Sequence, residues 1–328
     1  MRPPVLFTSL LLLSGISILF SMANGSMDIG WVELLSAIHG NGEEFATRVI
    51  LDLRWPRTAA AYVTGALLAL AGGLMQVLLR NPLADPYVLG ISGGAAVATL
   101  LTLLLGIGGI WLQGAAFIGA LLSMLLVFGL SHGHGSWSIS RLLLTGVVVA
   151  AGWGAAIGFL LALSPERDLR GMLFWLMGDL SYATTPVESL AVLLAGLLVA
   201  VASGRSLNLL AHGELVAATL GVTIQPLRRL IYIMASLLTA AAVTMGGSIG
   251  FVGLIVPHML RLQGVRDHRV LLPAAALLGG CLLVIADTLA RTLLAPRQLP
   301  VGTLTALIGV PVFLYLLYHS RERYGRDG

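Results

Sequence analysis

The side chains that could do chemistry are few in this 328-residue sequence, and one type is missing: all 19 basic residues are arginine. A Walker A loop needs a lysine on the nucleotide phosphates, and so does a Schiff base on a carbonyl substrate. Any ATPase driving this chain must therefore be another polypeptide. The single cysteine, Cys281, lies in an apolar run, which excludes an intramolecular disulfide and a thiolate cluster and leaves a packing role. His258 and His268 lie close in sequence but not at the i, i+4 spacing of a helical metal pair. His132 and His134 belong to a glycine-rich HGHG turn. With no paired carboxylates, no His-rich metal motif and no nucleophile beside a base, the expectation is a chain that is not an enzyme. It should hold no cofactor or metal of its own and no nucleic acid.

What remains is charge set among apolar residues. Asp287 is the one acidic residue well inside an apolar run. Carboxylates at such positions mark ion or proton relays, but Arg291 four residues on favours a local structural pair. Arg54 and Arg57 flank Pro56 ahead of one apolar run, and Arg291 closes another. They read either as guanidiniums snorkelling to headgroups or as pockets for the carboxylates of a docking protein. The segment SLNLLAHGELVAATLGV, Ser206 to Val222, spaces Leu207, Leu210, Leu215 and Ala218 helically around Gly213. Two short helices joined at a glycine could seat in a groove of a partner or lie on lipid.

The elements that position these residues follow from composition. Hydrophobic residues make up 57% and charged residues only 10%, against about 25% charged in a soluble domain, so the chain belongs in a bilayer. It reads as one all-α domain over 1–328 with about ten spans. They run roughly Val5 to Met22, Thr58 to Leu79, Val88 to Leu105, Trp111 to Leu130, Ser140 to Leu163, Val187 to Ala202, Leu230 to Met245, Ile249 to Leu262, Val270 to Leu294 and Val301 to Tyr318. Pro257 should end or kink the short eighth, whose length suggests shielding by protein. An even count puts both termini on one side, and Arg2 with Arg321, Arg323 and Arg326 makes that side the cytoplasm. Ala23 to Arg57 should cap the outer face. Asp168 to Leu180 should form a short outer interfacial helix anchored by Trp175. The first run also has the shape of a signal peptide, but a retained span is preferred.

Four blocks carry a family resemblance: RWPR (Arg54 to Arg57), GGLMQVLLRNPLADPYVLGISGGA (Gly72 to Ala95), GSIGFVGLIVPHMLRLQGVRDHR (Gly247 to Arg269) and LPVGTLTALIGVPVF (Leu299 to Phe313). Together they resemble the FecCD family, the permease subunits of type II ABC importers. Asn81, Pro82, Pro257 and His258 lie within these blocks as structural motif residues, with Asp287 beside the last. The resemblance implies a ten-span inner-membrane subunit acting as a homodimer. Two ATPase subunits would bind ATP below it and a periplasmic substrate-binding protein would sit above, with a ferric siderophore, haem or cobalamin as cargo. It further implies that Ser206 to Val222 couples to the ATPase through Leu210, His212, Gly213, Glu214, Ala218 and Gly221, and that Arg54, Arg57 and Arg291 receive the binding protein. WSISR (Trp137 to Arg141) resembles a cytoplasmic gate built on Ser138, Ile139 and Ser140, with Ile139 where the cobalamin permease has a hydroxyl residue. The rival class is an ion-coupled secondary transporter.

Overall fold

The computed structural model describes residues 2–25, 33, 36, 44–131, 138–181 and 183–324, and every regular element among them is a helix. In chain order these are α1 (Pro3–Ala23), α2 (Glu44–Arg48), a π-helical turn (Val49–Arg54) that runs straight into α3 (Trp55–Leu78), a 3₁₀ turn (Pro86–Leu89), α4 (Ile91–Leu104), α5 (Ile110–Ser131), α6 (Ile139–Leu163) and α7 (Glu166–Leu176). Then follow α8 (Val187–Ala202), α9 (Gly204–Ala211), α10 (Glu214–Thr219), α11 (Ile224–Gly246), α12 (Val252–Leu262), α13 (His268–Thr292) and α14 (Val301–Tyr324). Residues 26–32, 34–35 and 37–43 of the segment expected to cap the outer face lie outside the described residues, as do His132, His134 and Trp137.

Among the described residues each of the ten expected runs overlaps an apolar helix, but only six of these helices, or seven with one bent pair, are long and apolar enough to cross. Six pass on length and composition: α1, α2 with α3, α5, α6, α11 and α13. A seventh is the pair α8 and α9, bent by 64° at Ser203. The others are shorter, at Ile91–Leu104, Val252–Leu262 and Val301–Tyr315. About 20 apolar residues are needed to span hydrocarbon, so an 11-residue helix is held at depth only by protein. That is the situation of α12, seven of whose residues, Val252 to Leu260, are buried.

The core is built on α3. Its run of alanine, leucine and glycine is apolar on every side, as a helix surrounded by others must be, and 94% of its apolar window is buried. It lies against α11, α12 and α13. Glycine sets the distance: a Cβ on Gly72 would come 1.9 Å from the carbonyl oxygen of Gly253 in α12, and one on Gly65 2.2 Å from that of Gly279 in α13. Backbone thus meets backbone, the close approach that small residues allow between membrane helices. By contrast, only 17% of the α6 window is buried.

Several boundaries differ from the hydropathy reading, each for a local reason. The third run starts as a helix only at Ile91, because Asp85 caps the 3₁₀ turn and Gly90 takes φ 72°. The seventh starts at Ile224, six residues earlier than expected, since proline in a first turn forfeits no hydrogen bond and Pro226 stands there. Pro257 does not end a helix: α12 continues through it to Leu262. A proline removes only the bond to the carbonyl four residues back, which is Gly253, and that carbonyl is the one facing Gly72. At the N-terminus α1 is bonded into the bundle. Ser14 Oγ lies 2.8 Å from the Tyr62 hydroxyl and 3.2 Å from Cys281 Sγ, and Ser21 Oγ 2.8 Å from Thr58 Oγ1.

Candidate functional site

Two polar clusters interrupt the apolar bundle, one at each end. The first centres on Asp287, fully buried near the end of α13. Arg57 of α3 donates to both of its oxygens, from Nε at 3.1 and 3.0 Å and from Nη2 at 2.9 Å. Arg291, one turn along α13, adds an ion contact from Nε at 3.2 Å. Two further donors find acceptors, Arg57 Nη1 at Gln298 Oε1 and Arg291 Nη2 at Ser21 Oγ, both at 2.8 Å, while the buried Arg291 Nε has the ion contact but no hydrogen bond. Arg54 Nη1 donates to the Met22 and Ala23 carbonyls at the end of α1. Burying charge is tolerated only with this degree of pairing. The cluster fastens α1, α3 and α13 together and carries an excess of positive charge.

The sequence suggested the Asp287–Arg291 pair from its spacing, and the structure contains it. It did not suggest Arg57 as the bidentate partner, because that contact joins residues 230 apart and no local pattern encodes it. Arg54, Arg57 and Arg291, assigned by resemblance to a docking role, are 4%, 8% and 5% exposed. The structure does bring them together at one end of the bundle, with their donors directed to internal acceptors.

The second cluster fastens the Ser206 to Val222 segment. Here α9 and α10 meet at His212 and Gly213, and Gly213 takes φ 122°, ψ 152°, which only glycine adopts without strain. Glu214 opens α10 and is gripped by Arg80, at the end of α3, at 3.0 Å and by Arg228, in the first turns of α11. Arg80 reaches it because the chain turns sharply there. Its own φ is 48°, and Asn81 Oδ1 accepts the Leu83 N–H at 2.9 Å, with Pro82 exposed in the turn. On the other arm Asn208 Nδ2 donates to Asp267 Oδ1 at 2.9 Å, while the His268 N–H and Nδ1 bond to Asn208 Oδ1 at 2.8 and 2.6 Å. Asp267 also pairs with Arg269, whose guanidinium approaches to 2.8 Å. Hydrogen bonds from Arg269 and then Asn208 hold the Asp267 carboxyl well below the usual carboxylate range.

The segment is therefore two-faced. Leu207 and Leu210 are buried against the bundle, whereas Leu215 is 80% and Leu220 61% exposed, and Ala218 and Gly221 are exposed as well. Its inner face is bolted to α3, α11 and α13, and its outer face is apolar and uncovered. Neither Arg80 nor Asn208 could be picked out beforehand, since each is an ordinary polar residue until folding brings it to its partner.

The other expected residues lie apart from both clusters. Ser138 Oγ accepts the Arg141 N–H at 3.2 Å and caps α6, with Ile139 half-buried and Ser140 exposed. His258 is buried on α12 with its ring edge-on to Phe313 at 6.1 Å. Among the described residues no group of three or more His, Cys, Asp or Glu gathers as a metal site.

An all-helical bundle with apolar outer surfaces, paired buried charges and a fastened two-helix segment at one end defines a multi-pass membrane protein of the permease class. The chain belongs to the FecCD transport family, whose model matches residues 11–319. It is 39% identical to the hemin transport system permease protein HmuU of Yersinia pestis, over 98% of both chains. It is 40% identical to the vitamin B12 import system permease protein BtuC of Salmonella typhi, over 95% of this chain and 94% of the other. A metal-chelate type ABC transporter solved in an inward-facing conformation superposes with TM-score 0.87 at 31% identity, over 97% of this chain and 100% of that one. The chain is an ABC transporter permease of this family.

Proposed function

We propose that this permease is the membrane-spanning subunit of an ATP-driven importer for an iron chelate, a ferric siderophore or haem. In this reading ten helices cross the inner membrane with both termini in the cytoplasm, α4, α12 and α14 crossing short because protein surrounds them. Two copies form the passage, a pair of ATPase subunits binds ATP at the cytoplasmic face, and a periplasmic binding protein delivers the cargo. The observation that carries the reading is the identity to a hemin permease over 98% of both chains. A second reading, cobalamin as cargo, is favoured by the equally similar BtuC relatives.

The mechanism follows from the fastened segment. The exposed apolar face of α10 and the turn after it offers the ATPase a seat, and Glu214 and Asn208 pass its movement to α3, α11 and α13. ATP and the binding protein shift the permease between inward- and outward-open states only through their differential affinity for each. At the opposite end Arg54, Arg57 and Arg291 supply the positive field toward which acidic residues of the binding protein would steer. Ser138, Ile139 and Ser140, at the start of α6, form the cytoplasmic gate. Pairing of two copies through α6 is supported by its bareness: Gly154 and Gly158, four residues apart, have no atom within 4 Å of a would-be Cβ, and small residues at that spacing let helices associate closely.

An ion-coupled secondary transporter would need a carboxylate free to take up its ion. Asp287, the only fully buried carboxylate among the described residues, is instead occupied by two guanidiniums. The test is co-purification of the permease with a co-expressed partner ATPase, followed by uptake assays with haem, a ferric siderophore and cobalamin. A two-to-two assembly, lost when Gly213 and Glu214 are replaced, and uptake of an iron chelate are expected. Uptake of cobalamin alone selects the second reading. A permease that stays alone while its fold is preserved overturns both.

A further inference from the structure

Two residues other than glycine have a positive φ among the described residues, Arg80 and Phe251. Arg80 is accounted for by its position. It closes α3 where a helix ordinarily ends in the left-handed region, its N–H donating to the Val77 carbonyl and that of Asn81 to the Gln76 carbonyl. Phe251 has no such account. It stands at the start of α12 with φ 71°, ψ −27° and no side-chain cap, where a helix ordinarily begins from extended backbone on Ser, Thr, Asp or Asn. A bulky residue with positive φ is an outlier. The same entry into a short helix occurs at Gly90, φ 72°, before α4, and there the residue is glycine. What phenylalanine adds over glycine is its ring.

That ring meets α14. A Cβ on Gly309 would come 2.8 to 3.1 Å from Phe251 Cβ, Cγ and Cδ1, so Gly309 is the hole into which the side chain fits. One turn along α14, Phe313 stands against the ring of His258 on α12. The rest of α14 is largely bare, with Leu307, Ile308, Val310, Val312 and Leu314 exposed. Because α12 belongs to the buried core, Phe251 joins a fixed helix to a peripheral one. Three other elements hold its turn in place. The Ile249 N–H donates to the Tyr87 hydroxyl at 3.2 Å, Ser92 Oγ donates to Ser248 Oγ at 2.9 Å, and the Asp179 N–H donates to the Gly246 carbonyl at 2.9 Å. Backbone strain persists only where the surroundings over-determine it, and such positions cluster at switches.

We propose that Phe251 in the Gly309 hole is a sprung latch between the core and α14. While α14 is seated the turn is held strained, and when α14 leaves its seat in the transport cycle the residue relaxes to negative φ. The latch rests on the importer reading only for the cycle it serves. Left-handed backbone at a residue with a side chain weights against the seated arrangement by about 5- to 30-fold, which is enough to set the balance between two states.

Phe251→Gly and Phe251→Ala separate the strain from the ring, since both lose the ring and only alanine keeps the strain. In the detergent-purified chain Phe251→Gly should have the higher thermal midpoint, the reverse of the usual order of these two residues. Spin labels on Ile233→Cys of α11 and Val310→Cys of α14, both exposed positions, report the seat of α14 by pulsed electron paramagnetic resonance. The ratio of seated to unseated distances should be about 5- to 30-fold larger with Phe251→Gly than with Phe251→Ala. Gly309→Ala keeps Phe251 but crowds its ring, and should move the distribution toward the unseated distance. With a partner ATPase, Phe251→Gly should transport more slowly than Phe251→Ala although it is the more stable protein, an inversion that a merely structural role does not give. Equal midpoints, or a higher one for Phe251→Ala, remove the strain and overturn the proposal. An unchanged distance distribution in Gly309→Ala removes the latch and overturns it as well. Both of these measurements use the permease alone, so failure of the latch is distinct from failure of the importer reading.

Discussion

Asp287 holds two guanidiniums from different helices in a place where water cannot screen them, and the consequences of removing it can be stated. Breaking a buried ion pair from one side costs about 3–5 kcal/mol, because the remaining charges lose compensation. Asp287→Asn should lower the thermal midpoint of the detergent-purified chain sharply. Adding Arg57→Gln should recover part of the loss, since it removes one uncompensated cation, and a double-mutant cycle would read the coupling. An unchanged midpoint in the single variant would show that the cluster does not fasten α1, α3 and α13. At this scale the sequence was legible wherever chemistry is local. The absence of lysine and the i, i+4 pair of Asp287 with Arg291 could be read directly, whereas the Arg57, Arg80 and Asn208 contacts depend on helices distant in the chain.

Helices were legible as apolar runs, but their ends were set by features that hydropathy does not weigh. Asp85 and Gly90 delay the start of α4, Pro226 is absorbed into the first turn of α11, and α12 runs on through Pro257. The glycines that decide packing could not be told by counting, since 40 are present. Gly72→Ala must push α12 off α3, because its Cβ would fall 1.9 Å from the Gly253 oxygen. Overpacking of this kind costs about 1–3 kcal/mol, and denaturation should report it. Gly114→Ala on α5 meets nothing within 4 Å and should be neutral or slightly stabilising. Equal effects at the two positions would contradict the packing described.

The fastening of α9 has its own signature in acid. A carboxylate whose native pKa is depressed contributes stability at every pH above its unfolded value, about 3.9, and that contribution is lost as pH falls toward the native value. The Asp267 link to Asn208 and Arg269 should thus be complete at neutral pH and weaken only below about pH 4. Hydrogen exchange over residues 204–211, corrected for intrinsic rates, should show one loss of protection below about pH 4 that Asp267→Asn removes, and a separate loss between about pH 6.5 and 4 from His268, whose imidazole is held down to about 4 by burial. A loss below pH 4 that persists in Asp267→Asn would mean that the Asp267 link does not hold the segment.

For the whole molecule, the bareness of α6 and the proposed coupling through Glu214 lead to separate expectations. Gly154→Leu should split a detergent-stable dimer into monomers without lowering the monomer's thermal midpoint, since no atom of its own chain stands within 4 Å of a Cβ there. Size-exclusion chromatography with light scattering distinguishes this from a dimer that persists. Family, class and the two-helix segment could all be read from the sequence, because motif blocks and helical spacing are local. The partnerships that bolt the segment down could not, and they are what a force-transmitting element requires. The most direct test is transport in proteoliposomes containing the permease, its ATPase partner and a labelled iron chelate. ATP should drive accumulation, and Glu214→Gln, which leaves Gly213 in place, should reduce it by roughly an order of magnitude, within the range that coupling residues command. Accumulation driven by a proton gradient through the permease alone, without ATP, would contradict the account.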